Sequence, residues 1–199
     1  MKTFSVLLCA AGMVFVLNCC TDLSQPIGSP NEQARTTALA PNSLAKKGPA
    51  VNWASGNAGG TFDGKSVTWA GSARMFADGS SDGQYELNVH SQDMARWHGN
   101  VVSLKVYDGN TAVIGGKEVR QEGAIPDAYE VFIWVDGGEG VKAPADRFSF
   151  VIYWTQDRAD AERVWSLKPA DVIKELERIT GMTEDEIMLP VAHGNISVR

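Results

Sequence analysis

No cysteine occurs after residue 20; the three in the chain are Cys9, Cys19 and Cys20. A disulfide framework and a thiolate metal site are therefore excluded from the body of the protein, which must stand on its packed core alone. Histidine is scarce too, with only His90, His98 and His193, and no two lie at the close spacing of a paired metal motif. Cations are outnumbered, 18 Lys and Arg against 24 Asp and Glu. That balance argues against nucleic acid and anionic membrane surfaces as partners. There is no H-E-x-x-H pair, and Gly115-Gly116 is not followed by Gly-Lys-Ser/Thr or by a helical pattern. No strand–helix–strand alternation is present, so a parallel nucleotide-binding sheet is not expected, and no cofactor is implied.

What is present begins with the amino terminus. Lys2 supplies a positive start, and Phe4 to Leu17 is an almost uninterrupted apolar run of 14 residues. That is short for a membrane span, which takes about 20, and right for a signal-peptide core. The run ends Val16-Leu17-Asn18-Cys19-Cys20-Thr21. An apolar residue three places before a cysteine resembles the lipobox of bacterial lipoproteins. It implies acylation of Cys20, with Cys19 as the alternative, and hence a membrane anchor outside the cytoplasm. An ordinary signal peptide or an uncleaved anchor is the competing reading. Removing residues 1–20 takes away Lys2 and no acid, making the whole-chain charge of −6 one unit more negative.

Residues 21–50 are rich in Ser, Pro, Ala, Asn and Thr without apolar period, the composition of a tether. The domain proper is read as 51–199. From the mid-fifties the period is two: Val67, Trp69, Ala73 and Met75 share one face, and Tyr85, Leu87 and Val89 alternate with polar residues. Val102, Leu104 and Val106 do the same. Turn signals separate them, such as Asp78-Gly-Ser-Ser-Asp-Gly83 and Asp108-Gly109-Asn110. The pattern predicts an all-β antiparallel meander of about eight strands closing into a small barrel, with a β-sandwich as the alternative.

Two runs differ. Residues 129–135 carry Tyr129, Val131, Ile133 and Val135 on one face and Phe132 and Trp134 on the other. In 147–154, Phe148, Phe150, Ile152 and Trp154 oppose Val151 and Tyr153. Strands apolar on both sides need cover on both sides. An insert at 157–190 supplies it. Pro169 opens and Gly181 stops one amphipathic helix, and Val172, Ile173, Leu176 and Ile179 form its stripe. The expectation is one α-helix packed on the outside of the barrel. Thr183 to Glu186 is a capping-box pattern, and residues 193–199 read as a closing strand.

Asn110-Thr-Ala-Val-Ile-Gly-Gly116, Val135 to Phe150 and the terminal His193-Gly194-Asn195 together resemble a family of exported bacterial all-β domains. Its pattern runs GNTA-x-IGG, then VxDNGEGxxAPPDxIS, then HGN. The likeness covers roughly residues 56–154 and 192–199, and turn glycines are its most specific part. It implies a lipocalin-like barrel and brings no activity with it. The chain departs in having Gly137 for Asn, Ala145 for a second Pro, Ser103 for a frequent Cys, and the helical insert.

Candidate sites are few. Asp136, Glu139 and Asp146 crowd one Gly-rich loop, but three carboxylates without D-x-D-x-D-G spacing fall short of a calcium shell. The alternative is a turn in which Asp136 and Asp146 accept backbone N–H groups and Gly137, Gly138 and Gly140 supply positive φ. His90, Ser91 and Asp93 are too close along one strand end for a triad. His98 shares the face of Val102 and Leu104, which would turn it inward. With Glu86 it forms the candidate pair for an enzyme of isomerase or cyclase type. Gly115-Gly116 reads as a bulge or close strand crossing. Trp69, Tyr85 and Trp97 are candidate ligand-binding rings, their alternative role being simple core filling. Three functions stay open: an anchored module binding a small apolar ligand or an envelope protein, a barrel enzyme, or a structural envelope protein.

Overall fold

The computed structural model describes residues 48–62, 64–90, 95–121, 128–140, 142–150 and 152–199. The candidate lipidation residues Cys19 and Cys20, residues 21–47 of the expected tether, and Ser91 and Asp93 lie outside the described residues.

Ten strand segments form one antiparallel sheet that curls into a half-barrel. They are β1 (Ala50–Phe62), β2 (Lys65–Phe76), β3 (Ser81–His90), β4 (Ala95–Tyr107), β5 (Thr111–Gln121), β6 (Tyr129–Val135), β7 (Arg147–Ser149), β8 (Tyr153–Thr155), β9 (Met188–Pro190) and β10 (His193–Val198). The order across the sheet is β10-β1-β2-β3-β4-β5-β6-β7-β9, with β8 also on β6. The meander is as the sequence predicts. One run read as a single strand, 147–154, is interrupted: β7 and β8 pair with opposite ends of β6 in registers two residues apart. Ser149 bridges the break, its Oγ accepting the Ile133 N–H at 2.8 Å.

Alternation sorts the side chains onto two sides. Inside the curl, Val67, Trp69, Tyr85, Leu87, Leu104, Ile114, Phe132, Trp134 and Phe148 form one core. The facing wall is small: β1 presents Ala54, Gly56, Ala58 and Gly60, and a Cβ on Gly60 would come within 3.3 Å of the Phe148 ring. Outside, Val113, Val131, Ile133 and Tyr153 meet the insert, so β5 and β6 are covered on both faces. The insert holds two helices and a turn where the sequence predicts one helix and a turn. They are α1 (Arg158–Trp165), α2 (Pro169–Thr180) and α3 (Glu184–Ile187). Asp157 caps α1 by accepting the Ala159 and Asp160 N–H groups. Pro169 opens α2 and Gly181 ends it at φ 72°, and the Thr183–Glu186 capping box is formed. Among the described residues no helix is long and apolar enough to cross a membrane.

Bulges re-aim β4 and β5. Val101 pairs Gly116 and Ser103 pairs Gly115, so Val102 is an extra residue; Val119 is another, opposite the His98–Gly99 step. A third shift lies at Val51. The three large hydrophobics exposed among the described residues are Val51, Val102 and Val119, the three bulge residues. Past the bulge at 102 the parity of β4 flips, so Val101 and Leu104 both face the core.

Gly115 and Gly116 leave room on opposite faces. A Cβ on Gly115 would lie 2.4 Å from the Trp165 ring of α1, and one on Gly116 would lie 2.4 Å from the Tyr85 ring inside.

The seam between the two sheet edges is closed by side chains. Trp53 and Arg199 exchange both backbone hydrogen bonds, so the N–H groups of Ile196 and Val198 point away from β1. Asp146 Oδ2 accepts the first at 2.7 Å and Asp136 Oδ2 the second at 3.1 Å.

Two substitutions test this construction. Gly115→Ala should cost about 1–3 kcal/mol by overpacking, but less than about 0.5 in a Trp165→Ala background, as a double-mutant cycle in urea would record. Asp146→Ala strips acceptors from Ile196 and Gly137 and should cost roughly 2–4 kcal/mol, whereas exposed Glu139→Ala should stay within about 0.5.

Candidate functional site

Inside the otherwise apolar curl, two acids and a phenol meet. Tyr85 points inward from β3, and its ring lies across the next two strands because both carry glycine beneath it. A Cβ on Gly99 of β4 would sit 2.1 Å from its hydroxyl. The phenol thereby reaches the level of Glu130, which stands opposite Gly116 in the β5–β6 register. Glu130 shares the inward face of Phe132 and Trp134 and is 1% exposed; Glu118 of β5 is 3% exposed. Trp154, opposite Glu130 on β8, gives its indole N–H to Glu118. Trp69 packs on Phe132 and Tyr85, with ring centroids 4.4 and 5.8 Å apart.

Burial dominates the electrostatics. It raises the Glu130 carboxyl to about 7; Glu118 pushes the same way and facing Tyr85 pulls back. Burial likewise raises Glu118, against the Trp154 hydrogen bond, and lifts the Tyr85 phenol well above its usual value, aided by Glu130. Tyr85 and Glu130 face each other and act on each other as a hydrogen-bonding pair, but at Tyr85 Oη and Glu130 Oε2 the contact falls short of full hydrogen-bond geometry, and no other group meets these two atoms. Buried polar atoms without partners are uncommon and cost about 1–3 kcal/mol each. No cation acts on Glu130 among the described residues. A carboxyl poised near neutrality beside a second acid can hold, give or take a proton.

The residues singled out from sequence fall in three places. Trp69 and Tyr85 belong to this cluster, and Trp97 packs against the same core from β4. Glu86 and His98 are cross-strand neighbours on the outside of the sheet. The inward expectation for His98 is corrected by the bulge at Val102: Gly99 faces Tyr85, so His98 faces away. Glu86 is engaged there by Arg96 at 2.6 Å and Asn88 at 2.8 Å, which lower its pKa, Arg96 most. His90 is also outside, 3.2 Å from Thr68, and His193 lies over Gly59.

The loop carboxylates serve backbone N–H groups. Asp136 Oδ1 accepts from Gly138 at 2.7 Å and Asp146 Oδ1 from Gly137 at 2.8 Å, while their other oxygens hold β10. Glu139 is exposed and apart. Gly138 and Gly140 have positive φ as expected; Gly137 does not, and is glycine because a Cβ would lie 2.1 Å from the Pro144 carbonyl. Among the described residues no group of three or more His, Cys, Asp or Glu is placed to hold a metal.

Glu118 and Glu130 escaped the sequence reading. One signal was there: Glu130 shares its face with Phe132 and Trp134 in the most apolar strand of the chain. A separate cleft of about 410 Å³ opens on the outside between α2 and the sheet, with Ile133, Val135 and Ile173 in its lining and Arg147, Lys174 and Glu177 around them.

No family model matches the chain. No curated protein and no solved structure matches it either. Fold and geometry define a curled antiparallel half-barrel with a helical layer outside and a buried acid–phenol cluster inside.

Glu130 ties stability to pH. Its carboxyl is raised when folded, so between about pH 4.5 and 7 the unfolded chain loses its proton first and stability falls as pH rises. Above 7 the penalty levels off at roughly 3 kcal/mol. Glu130→Gln should flatten that slope and be more stable than wild type at pH 8, as urea melts at pH 5 and 8 would show.

Proposed function

We propose that this protein is an extracytoplasmic binding module, held to a membrane by a lipid on Cys20 through the tether. It takes a small, largely apolar molecule at the end of the half-barrel where Tyr85, Glu118 and Glu130 lie. One observation carries the reading. Glu130 Oε2 and Tyr85 Oη are buried amid aromatic rings, facing each other without a hydrogen bond of full geometry, an arrangement suited to a ligand that supplies polar contacts of its own. The rest of the interior supports a ligand limited to that end, because Trp69, Phe132 and Trp134 fill the middle.

A second reading, an isomerase or cyclase, is favoured by the Glu130 carboxyl at about 7, which suits general acid–base work at neutral pH. In that reading the reacting groups are Glu130 and Tyr85, replacing the outward pair Glu86 and His98.

Native mass spectrometry of the protein extracted from its own membrane separates these. The expected result is an acylated chain with a small molecule bound, and a Cys20→Ser chain that leaves the membrane fraction. A ligand recovered unchanged supports binding, and conversion on incubation supports the enzyme. An unacylated chain without ligand would overturn both anchor and site.

A further inference from the structure

The chemistry around Glu130 narrows the class of ligand, provided the reading of a ligand site at this end of the curl holds. An anionic head group is disfavoured, since Glu130 and Glu118 would both repel it. A hard divalent cation is a poor match too. It needs six or more oxygens, whereas the oxygen-bearing side chains that act on Glu130 are Glu118 and Tyr85, and the remaining surroundings are the rings of Phe132 and Trp154. The site offers a carboxyl oxygen and a phenol oxygen that face each other, both buried and neither in a hydrogen bond of full geometry, beside aromatic rings. Carboxylate plus aromatic faces is the environment that stabilises an organic cation, through charge on one side and ring quadrupoles on the other.

We infer that the site takes an amphipathic organic ammonium, a primary amine or quaternary ammonium on an apolar body, with its positive head against Glu130 Oε2 and Tyr85 Oη.

This assignment accounts for a carboxylate buried with no cation acting on it. In the empty protein Glu130 stays protonated up to about pH 7 because burial disfavours its charge. An ammonium entering beside it supplies the missing charge, and the proton leaves. Binding is then an exchange of a proton for an organic cation. The titratable groups facing Glu130 are Tyr85 from β3 and Glu118 from β5; β4 presents Gly99 and β8 presents Trp154. Tyr85 stays protonated throughout this range, its phenol being raised. Glu118, also raised, steepens the dependence in the same direction.

The test uses three probes with one tail: octyltrimethylammonium, octanol and octanoate, titrated calorimetrically into the whole mature protein. The quaternary head does not titrate, so any pH dependence belongs to the protein. Octyltrimethylammonium should bind at least about tenfold tighter than octanol at pH 8 and weaken about tenfold per pH unit from 7 to 5. Octanoate should bind weakest. Glu130→Gln should abolish both the preference and the pH slope. Should that variant fail to fold, the wild-type slope and Tyr85→Phe, expected to weaken only the ammonium, carry the test. Equal binding of octanol and the ammonium, or a preference that survives in Glu130→Gln, overturns the ammonium assignment and leaves the ligand site standing. Binding of none of the three overturns both.

Discussion

Everything here hangs on how close two rings can come to one pair of backbones. Gly115 and Gly116 are adjacent on β5, so they face opposite sides of the sheet. Trp165 takes the outer space and Tyr85 the inner. Without the first, α1 could not lie down on β5 and β6, and Val113, Val131 and Ile133 would lose part of their cover. Without the second, the phenol could not cross β4 and β5 to the level of Glu130. A single methyl at either position would collide with a ring that is itself packed on all sides, and interiors at native density yield little. The local backbone choice thus fixes both the helical layer and the reach of the interior cluster.

The closure of the curl follows a different logic. A small barrel usually joins its edges by a strand ladder. Here the last strand arrives after the helical insert, ladders with β1 on one side, and meets two carboxylates on the other. Each of Asp136 and Asp146 divides its oxygens between the Gly137–Gly138 turn and β10, so one loop shapes itself and fastens the final strand together. Charge-assisted hydrogen bonds from backbone N–H to carboxylate are stronger than neutral ones. That compensates for having two contacts where a ladder would have several. It also accounts for acids in a glycine turn without invoking an ion.

How much of this could be read beforehand depended on whether a residue's neighbours in sequence decide its fate. Val67, Trp69, Tyr85 and Leu87 were legible because alternation alone sets their side. Helix α2 was legible because Pro169, the apolar stripe and Gly181 are local signals. The meander, the cover over 129–135 and the turn role of Asp136 and Asp146 came through on the same grounds. Strand β1 was not singled out, since an Ala/Gly-rich wall has no amphipathic contrast. Helix α1 was missed as well, being short and mostly charged, with only Ala161, Val164 and Trp165 buried. His98 was misdirected because one extra residue, Val102, inverts the parity of everything before it, and nothing in Val101-Val102 announces the bulge. The acid cluster was least legible: Glu118, Glu130 and Tyr85 come from three strands, and only the register of β3 to β6 assembles them.

Such a cluster is hard to explain as a contribution to folding. A carboxyl that must stay protonated to remain buried lowers stability at neutral pH, and the fold has ample apolar surface around Glu130 to do without it. Glutamine would keep the shape without the titration. Leucine or methionine would fill the space with no polar atom to satisfy. The observed choice makes thermodynamic sense where the free state is meant to carry a deficit that a bound group removes, because a ligand that relieves a native-state penalty gains that same free energy in affinity. On the proposed ligand reading, the buried carboxyl, its incomplete hydrogen bonding and the aromatic surroundings form one device: an interior slightly wrong when empty and right when occupied.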